Sequence, residues 1–402
     1  MVKLSLKQVR FGIIVVALMI ISGGIGWNLG RRNSFKVYVP SNKNSVDMGL
    51  YWQVWDKLHE AYLIKDNLKT QEMTWGAIKG MTAALGDPYT VFLPPVQNKA
   101  TQEELNGAFE GVGIQLGFKD NQLAVIAPLV GTPAEAAGVK AGDFILKIKD
   151  EKKGVDRDTG EITLPEAVEL IRGPKGTEVT LTILRSGDSE TKEVMMARDT
   201  IVVKSVELSW VGEDKKVALL KLTRFGGRTE TEWEEAVKEI NSQKAKGVIL
   251  DLRNNPGGYL QGAVRYAGEF LPRGKVVVQQ KNSQDKVESY SVDFNGKLLK
   301  EPLVVLVNQG SASSSEILAG VLRDYKRAKL VGEKTFGKGT IQEALDLGEG
   351  AGLHVTTAKW LLPLGQWVNE TKGIAPDEEV KNDPEKPEED LQLEKALEIV
   401  LQ

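Results

Sequence analysis

Leu303-Val304-Val305-Leu306-Val307-Asn308-Gln309-Gly310-Ser311-Ala312-Ser313-Ser314-Ser315-Glu316 is the stretch on which the fold turns. Five consecutive apolar residues bounded by turn residues predict a strand buried on both faces, as in parallel sheets covered by helices. The small polar run after it leads into a helix expected over Ser314 to Tyr325. Working outward, the same alternation recurs. Lys216 to Leu222 reads as a strand, Thr229 to Asn241 as a helix, and Gly247 to Leu252 as a second buried strand. The turn Asn255-Pro256-Gly257-Gly258 opens a helix from about Leu260 to Phe270, and further strands are expected near Lys329 to Val331 and Gly339 to Ala344. This alternation predicts a layered α/β core.

Ser313 stands where a buried strand gives way to a helix. Backbone N–H groups and the positive end of the helix dipole favour a developing negative charge there. Ser313-x-x-Glu316 also fits a capping box, in which serine and glutamate satisfy each other's backbone donors. The run Gly310 to Ser315 offers more slack than a cap requires, which favours close backbone approach. Cysteine is absent and the only histidines are His59 and His354. A thiol nucleophile and a thiolate zinc site are therefore excluded, and a Ser-His-Asp triad would rest on one of two imidazoles. His354, in the alternating run Leu353 to Thr357, reads as a packed or partly exposed strand residue, and His59 as a surface residue.

Lys338 lies 25 residues after Ser313, in Thr335-Phe336-Gly337-Lys338-Gly339-Thr340-Ile341-Gln342. An exposed lysine, with a pKa of about 10.4, is a poor base at neutral pH, but burial lowers it by several units. Flanking glycines give the amine close access to a neighbouring chain. Gln342, four positions on, is expected on the same face of a strand, where it could orient the amine. The alternative is a surface lysine in a glycine turn. Asp324, about three helical turns after Ser313, reads as a partner of Arg323 or Arg327 or as a cap rather than as a proton-transfer group.

A chain of 402 residues, 41% hydrophobic and 27% charged, predicts two or three globular domains. A net charge of −3 gives no electrostatic reason to expect nucleic-acid binding. The absence of cysteine means that an exported form would hold together without disulfides. Phe11 to Leu29 is a 19-residue run without a charge, preceded by Lys3, Lys7 and Arg10. At about 1.5 Å per residue it just crosses a hydrocarbon layer of roughly 30 Å, and the basic leading arm favours a cytoplasmic N-terminus. It reads as an uncleaved signal anchor. A cleaved signal peptide has a shorter apolar region and a small-x-small site, which Gly24, Gly26 and Trp27 fit poorly. Helices are expected over Val46 to Leu68 and Thr74 to Leu85, with Trp52, Trp55 and Trp75 as core or docking residues.

Between them and the core, from about Gly107, short strand-like runs are punctuated by glycine. Gly111-Val112-Gly113-Ile114 is followed by Thr132-Pro133-Ala134-x-x-Ala137-Gly138, Gly142-Asp143-x-Ile145 and Arg172-Gly173-Pro174-Lys175-Gly176-Thr177. In this order they resemble a PDZ domain, with Gly111, Val112, Gly113 and Ile114 at its carboxylate-binding loop. Glycines let successive N–H groups converge on an anion, and an adjacent strand edge accepts a peptide strand. The plainer reading of Gly111 and Gly113 is a tight turn. Arg172 reads either as a sensor of a bound tail or as a turn-stabilising residue.

The serine and lysine motifs together resemble the carboxyl-terminal processing proteases, also called tail-specific proteases. The similarity covers nearly all of the chain after the apolar run, including Gly86-Asp87-Pro88-Tyr89-Thr90, Leu250 to Gly258 and Gly373-Ile374-x-Pro376-Asp377. It implies Ser313 as nucleophile, Lys338 as general base and Gln342 as supporting amide. An oxyanion hole is implied at the Ser314 N–H, with a second donor from Gly257 or Gly258. No cofactor or metal is implied. Two departures are Ser314 in place of an alanine and Leu362-Pro363-Leu364-Gly365 in place of a Thr-Pro-x-Gly segment.

The implied architecture is a multidomain α+β/α/β chain. It comprises a cytoplasmic arm (1–10), a transmembrane signal anchor (11–30), a linker (31–45), an N-terminal helical region (46–105), a PDZ domain (106–198), a layered α/β core of crotonase/Clp-like type (199–382), and a C-terminal linker and helix (383–402). The implied function is a membrane-anchored serine endopeptidase, catalytic part extracytoplasmic, that captures polypeptide C-termini. A homo-oligomer and gating by the PDZ domain stay open. One alternative is a non-catalytic PDZ adaptor or sensor tethering envelope proteins, for which Lys338 and Gln342 have no use. Another is a hydrolase dependent on His354.

Overall fold

The computed structural model describes residues 47–402 apart from 120, 121, 130, 161, 163, 186, 187, 384 and 387. The expected signal anchor and linker lie outside the described residues, and no described helix is long and apolar enough to cross a membrane. The described residues divide into two units, 47–73 and 74–402. In the first, the helix Gly49–Ala61 is shorter than expected and buries none of its residues. Trp52 is 55% exposed and so is no core residue.

The second unit is organised on a six-stranded sheet in the order Val206–Val211, Val217–Leu222, Gly247–Asp251, Leu303–Val307, Lys329–Gly332, Glu378–Glu379. The first pair is antiparallel and each later pair is parallel. Side-chain alternation along each strand makes the layers. Leu303, Val305 and Val307 join a core that includes residues of the helices Thr229–Ser242, Leu260–Phe270 and Ser314–Asp324. Val304 and Leu306 join another, closed by Ala396 and Val400 of the final helix Leu391–Val400. Every residue of Gly247–Asp251 and Leu303–Val307 is buried. At roughly 1.5–3 kcal/mol per buried Val, Leu or Ile, these strands hold the layers together. Because the strands are parallel, the loops leaving their C-terminal ends (223–225, 252–259, 308–313 and 333–339) gather at one edge, where open α/β sheets build their sites.

A second sheet is built on Ala351–Leu361, which pairs with Val91–Leu93, Val276–Asn282 and Thr340–Gly348. The chain just after Gly86–Thr90 therefore lies in one sheet with the chain just after Lys338. Residues 108–202 have a core of their own and are entered and left through the antiparallel pair Ala108–Gly111 and Asp199–Val202. Their sheet runs Ile114–Lys119, Gln122–Pro128, Phe144–Asp150, Glu178–Leu184, Lys192–Ala197, so Ile114–Lys119 is an edge strand. The helix Pro95–Asn106 is not foreseen by the sequence pattern. Proline at its first turn presets φ, but too few apolar residues mark a buried face for periodicity to reveal it.

Candidate active site

The serine turn is fixed by hydrogen bonds between loops. Ala312 N–H and Ser315 Oγ donate to the Asn255 carbonyl at 3.0 and 2.9 Å, and Ser311 Oγ donates to the Leu252 carbonyl at 2.8 Å. Asn255 Nδ2 donates to the Leu222 carbonyl at 2.7 Å, and Oδ1 accepts Gly257 N–H at 2.9 Å. Three strand ends are thereby tied into one frame. Within it Ser313 has φ 53° and ψ −115°, a conformation that a residue with a side chain adopts only when its surroundings impose it. A strand-to-helix turn with a serine at positive φ has the geometry of a nucleophile elbow.

Glu316 joins this frame to the lysine loop. Its buried carboxylate accepts Ser313 N–H and Lys338 N–H, each at 2.9 Å, on Oε2. Oε1 accepts the Thr335 hydroxyl at 2.6 Å and Gly337 N–H at 2.7 Å. The capping and nucleophile readings of Ser313-x-x-Glu316 are therefore compatible, because the glutamate that closes the helix start also carries Lys338. From the other side Trp360 Nε1 donates to the Lys338 carbonyl at 3.0 Å, and Trp367 Nε1 to the Gly339 carbonyl at 2.9 Å.

The Lys338 side chain is half-buried. Burial pushes its amine below the ordinary lysine range, and the Asp87 carboxylate draws it partway back. Nζ stands 4.5 Å from the centroid of the Tyr89 ring. Among the described residues no hydrogen bond joins it to the Ser313 hydroxyl.

Gln342 departs from expectation. Its strand begins at Thr340, so Lys338 precedes the strand, and a bulge between Ile341 and Gln342 resets the pairing with Ala351–Leu361. The same-face argument fails for that reason. The amide donates to the Thr340 and Thr356 hydroxyls at 2.9 and 3.1 Å, and Thr356 hydrogen-bonds the Asp87 carboxylate.

Ser313, Lys338 and Gln342 nonetheless line one cavity of about 800 Å³, together with Ser314, Gly257 and Gly258. Gly257 N–H is committed to Asn255. The N–H groups of Ser314 and Gly258 have no acceptor among the described residues. A Cβ on Gly258 would lie 2.2 Å from the Phe225 carbonyl oxygen, and one on Gly257 would lie 2.9 Å from Ser313 Cβ. Both positions of this turn therefore need glycine. The Ser314 hydroxyl donates to the Gly258 carbonyl at 3.0 Å, so the added hydroxyl braces the turn.

His354 is half-buried in the cavity wall, and burial together with the Lys338 charge holds its imidazole below the ordinary range. His59 is exposed, with Nδ1 2.9 Å from the Trp55 carbonyl. Asp324 pairs with Arg323 at 3.8 Å, and burial raises its carboxyl. Among the described residues no cluster of His, Asp or Glu could hold a metal ion.

In residues 108–202, Val112 and Gly113 form the turn into the edge strand. Gly113 has φ 79°, and a Cβ there would lie 2.4 Å from Thr132 Cβ. The Arg172 guanidinium stacks on Phe109, 4.4 Å from the ring centroid, and meets Glu103 at 3.4 Å. Asn255, Asp87, Tyr89 and the second role of Glu316 are the contributors to the site that sequence reasoning left without a role. The signal for the first three was their place in quoted motifs.

The family model described as Peptidase family S41 matches residues 216–380, and that of the PDZ domain matches 125–185. A carboxyl-terminal-processing protease of Synechocystis sp. is 41% identical over 345 residues, 85% of this chain and 78% of that one. A carboxy-terminal processing protease of Bacillus subtilis is 38% identical over 327 residues, 80% of this chain and 68% of that one. The solved structure of a putative S41 protease from Bacteroides fragilis is 17% identical and covers 90% of this chain and 98% of that one with a TM-score of 0.55, a likeness of fold. With its serine elbow, its glycine turn and its PDZ domain, the chain belongs to peptidase family S41, the carboxyl-terminal processing proteases, and is a serine-type peptidase.

Proposed function

We propose that the chain cleaves polypeptides by a Ser-Lys acyl-enzyme mechanism in which Ser313 is the nucleophile and Lys338 the general base. The observation that carries this reading is the single cavity shared by a serine at positive φ and a half-buried lysine, their backbones joined through Glu316. A neutral Lys338 amine takes the serine proton as Oγ bonds to the scissile carbonyl carbon. In this reading the oxyanion lies against the N–H groups of Ser314 and Gly258, and the commitment of Gly257 N–H to Asn255 supports Gly258 over Gly257 as the second donor. The C–N bond then breaks, the leaving nitrogen takes the proton from Lys338, and water hydrolyses the ester by the same route. Gln342 supports the base indirectly, through Thr356 and Asp87. Ser313→Ala and, separately, Lys338→Ala should each abolish cleavage of an unstructured substrate, read by mass spectrometry of the products. Turnover in either variant rejects the mechanism.

The PDZ domain, in the same reading, captures substrate tails. The turn at Val112 and Gly113 offers N–H groups to a carboxylate, and the edge strand Ile114–Lys119 accepts a peptide as an added strand. Gly113→Ala should weaken binding of a labelled peptide with a free apolar C-terminus roughly tenfold, by backbone strain at this φ. Equal affinity would remove the assignment. The uncharged run Phe11 to Leu29 supports a membrane anchor with the catalytic part outside the cytoplasm. Release of the full chain from membranes by alkaline carbonate would contradict that.

A further inference from the structure

The acyl-transfer reading needs the Lys338 amine on the Ser313 hydroxyl, yet the amine rests on an aromatic face. Tyr89 belongs to the turn between the helix Thr70–Ala83 and the strand Val91–Leu93. This turn is not free to drift. Asp87 accepts the Tyr89 N–H at 3.0 Å and the Thr90 hydroxyl at 2.6 Å, and Thr90 Oγ1 accepts the Thr356 N–H at 3.1 Å. The turn is thereby pinned to the strand Ala351–Leu361, and the Tyr89 ring it carries has its centroid 4.5 Å from Nζ, within the range in which a cation is attracted to a ring.

We propose that Tyr89 is a positioning residue for Lys338, a surface on which the charged ammonium rests away from Ser313 and which it leaves once the amine is neutral. The ring quadrupole attracts a cation and has little hold on an uncharged amine, so the restraint is specific to the protonation state that cannot act as a base. The inference rests on the Ser313/Lys338 reading. Four titratable groups surround this contact. Asp87 and Tyr89 come from the turn, Glu316 from the helix Ser314–Asp324, and His354 from the strand Ala351–Leu361. Burial, reinforced by the charges of Asp87 and Glu316, pushes the Tyr89 hydroxyl up, the opposite direction to that in which burial moves the lysine. His354 adds no competing charge near neutrality, because burial holds its imidazole low.

The test is kcat/KM against pH for the full chain on an unfolded substrate, whose acid limb reports the essential base of the free enzyme. Removing a partner of the ammonium lowers its pKa, so the acid limb should move to lower pH. Tyr89→Leu should shift it by roughly half to one and a half units, the effect of one cation–π contact. Tyr89→Phe, which keeps the ring face, should hold the limb within a few tenths of a unit of wild type. Should Tyr89→Leu not fold, 3,4,5-trifluorophenylalanine at position 89 keeps the shape of the Tyr89→Phe variant while emptying the ring face, and should shift the limb as leucine would. A trifluorinated variant whose limb coincides with that of Tyr89→Phe overturns the proposal. Lys338→Ala separates the two levels. Activity in that variant rejects the dyad, whereas an unmoved limb beside an inactive Lys338→Ala rejects only the role of Tyr89.

Discussion

Ser313 and Lys338 face one cavity but are restrained at opposite ends. At Ser313 the restraint is in the backbone, a left-handed φ held by Glu316 on one side and by the loop bonds to Asn255 on the other. The Lys338 backbone is held as firmly, by the same Glu316 and by Trp360. Its long side chain, however, ends on the face of Tyr89, a contact worth roughly 0.5–2 kcal/mol. Strain and hydrogen bonds are thus concentrated in what must not move. The end of the lysine side chain meets the Tyr89 ring face and the field of the Asp87 carboxylate, so the proposed mechanism asks for movement of a side chain where the described hydrogen bonds are fewest.

Glu316→Ala breaks the shared part of that comparison and should have the largest effect. It strips four buried or half-buried donors of their acceptor, at roughly 1–3 kcal/mol for each donor left dry. Cleavage should fall to background and stability by at least about 3 kcal/mol, read by denaturant unfolding. Near-normal cleavage with an unchanged midpoint would mean that the frame is not set by this carboxylate. Gly258→Ala sharpens the serine side. A side chain forced against the Phe225 carbonyl displaces the second oxyanion donor, which should lower kcat about 10²–10³-fold. An unaltered kcat would return the donor role to Gly257. Asp87→Asn, the smallest, sharpens the lysine side. The Asp87 charge raises the Lys338 pKa, so its loss should move the acid limb of kcat/KM down by a few tenths of a unit. Asparagine keeps an acceptor for the Tyr89 N–H, and a limb moving upward would contradict the assignment.

The core was legible because parallel strands buried on both faces leave uninterrupted apolar runs, as Leu303 to Val307 does, and small residues at their ends mark the loops. The small residues after Val307 drew attention to Ser313, whereas Lys338 was a candidate through its flanking glycines and, as a base, only through the family resemblance. What sequence concealed was set by tertiary packing. Glu316 reaches residues 335 to 338 in another loop, and no local pattern announces a side chain that serves two loops. The bulge at Ile341 and Gln342 reset a period-2 argument that holds only along an unbroken strand. Tyr89 and Asp87 reach Lys338 through a sheet pairing between distant segments. The helix Gly49–Ala61 came out shorter than its apolar spacing suggested, and among the described residues none of its side chains is buried.

The most direct measurement of the Ser313/Lys338 claim is the rate at which a serine-directed sulfonyl fluoride modifies Ser313, located by peptide mass spectrometry and followed against pH. Labelling confined to Ser313, rising through one ionisation below the ordinary lysine range and lost in Lys338→Ala, is the predicted result. Labelling that proceeds equally fast in Lys338→Ala would contradict it.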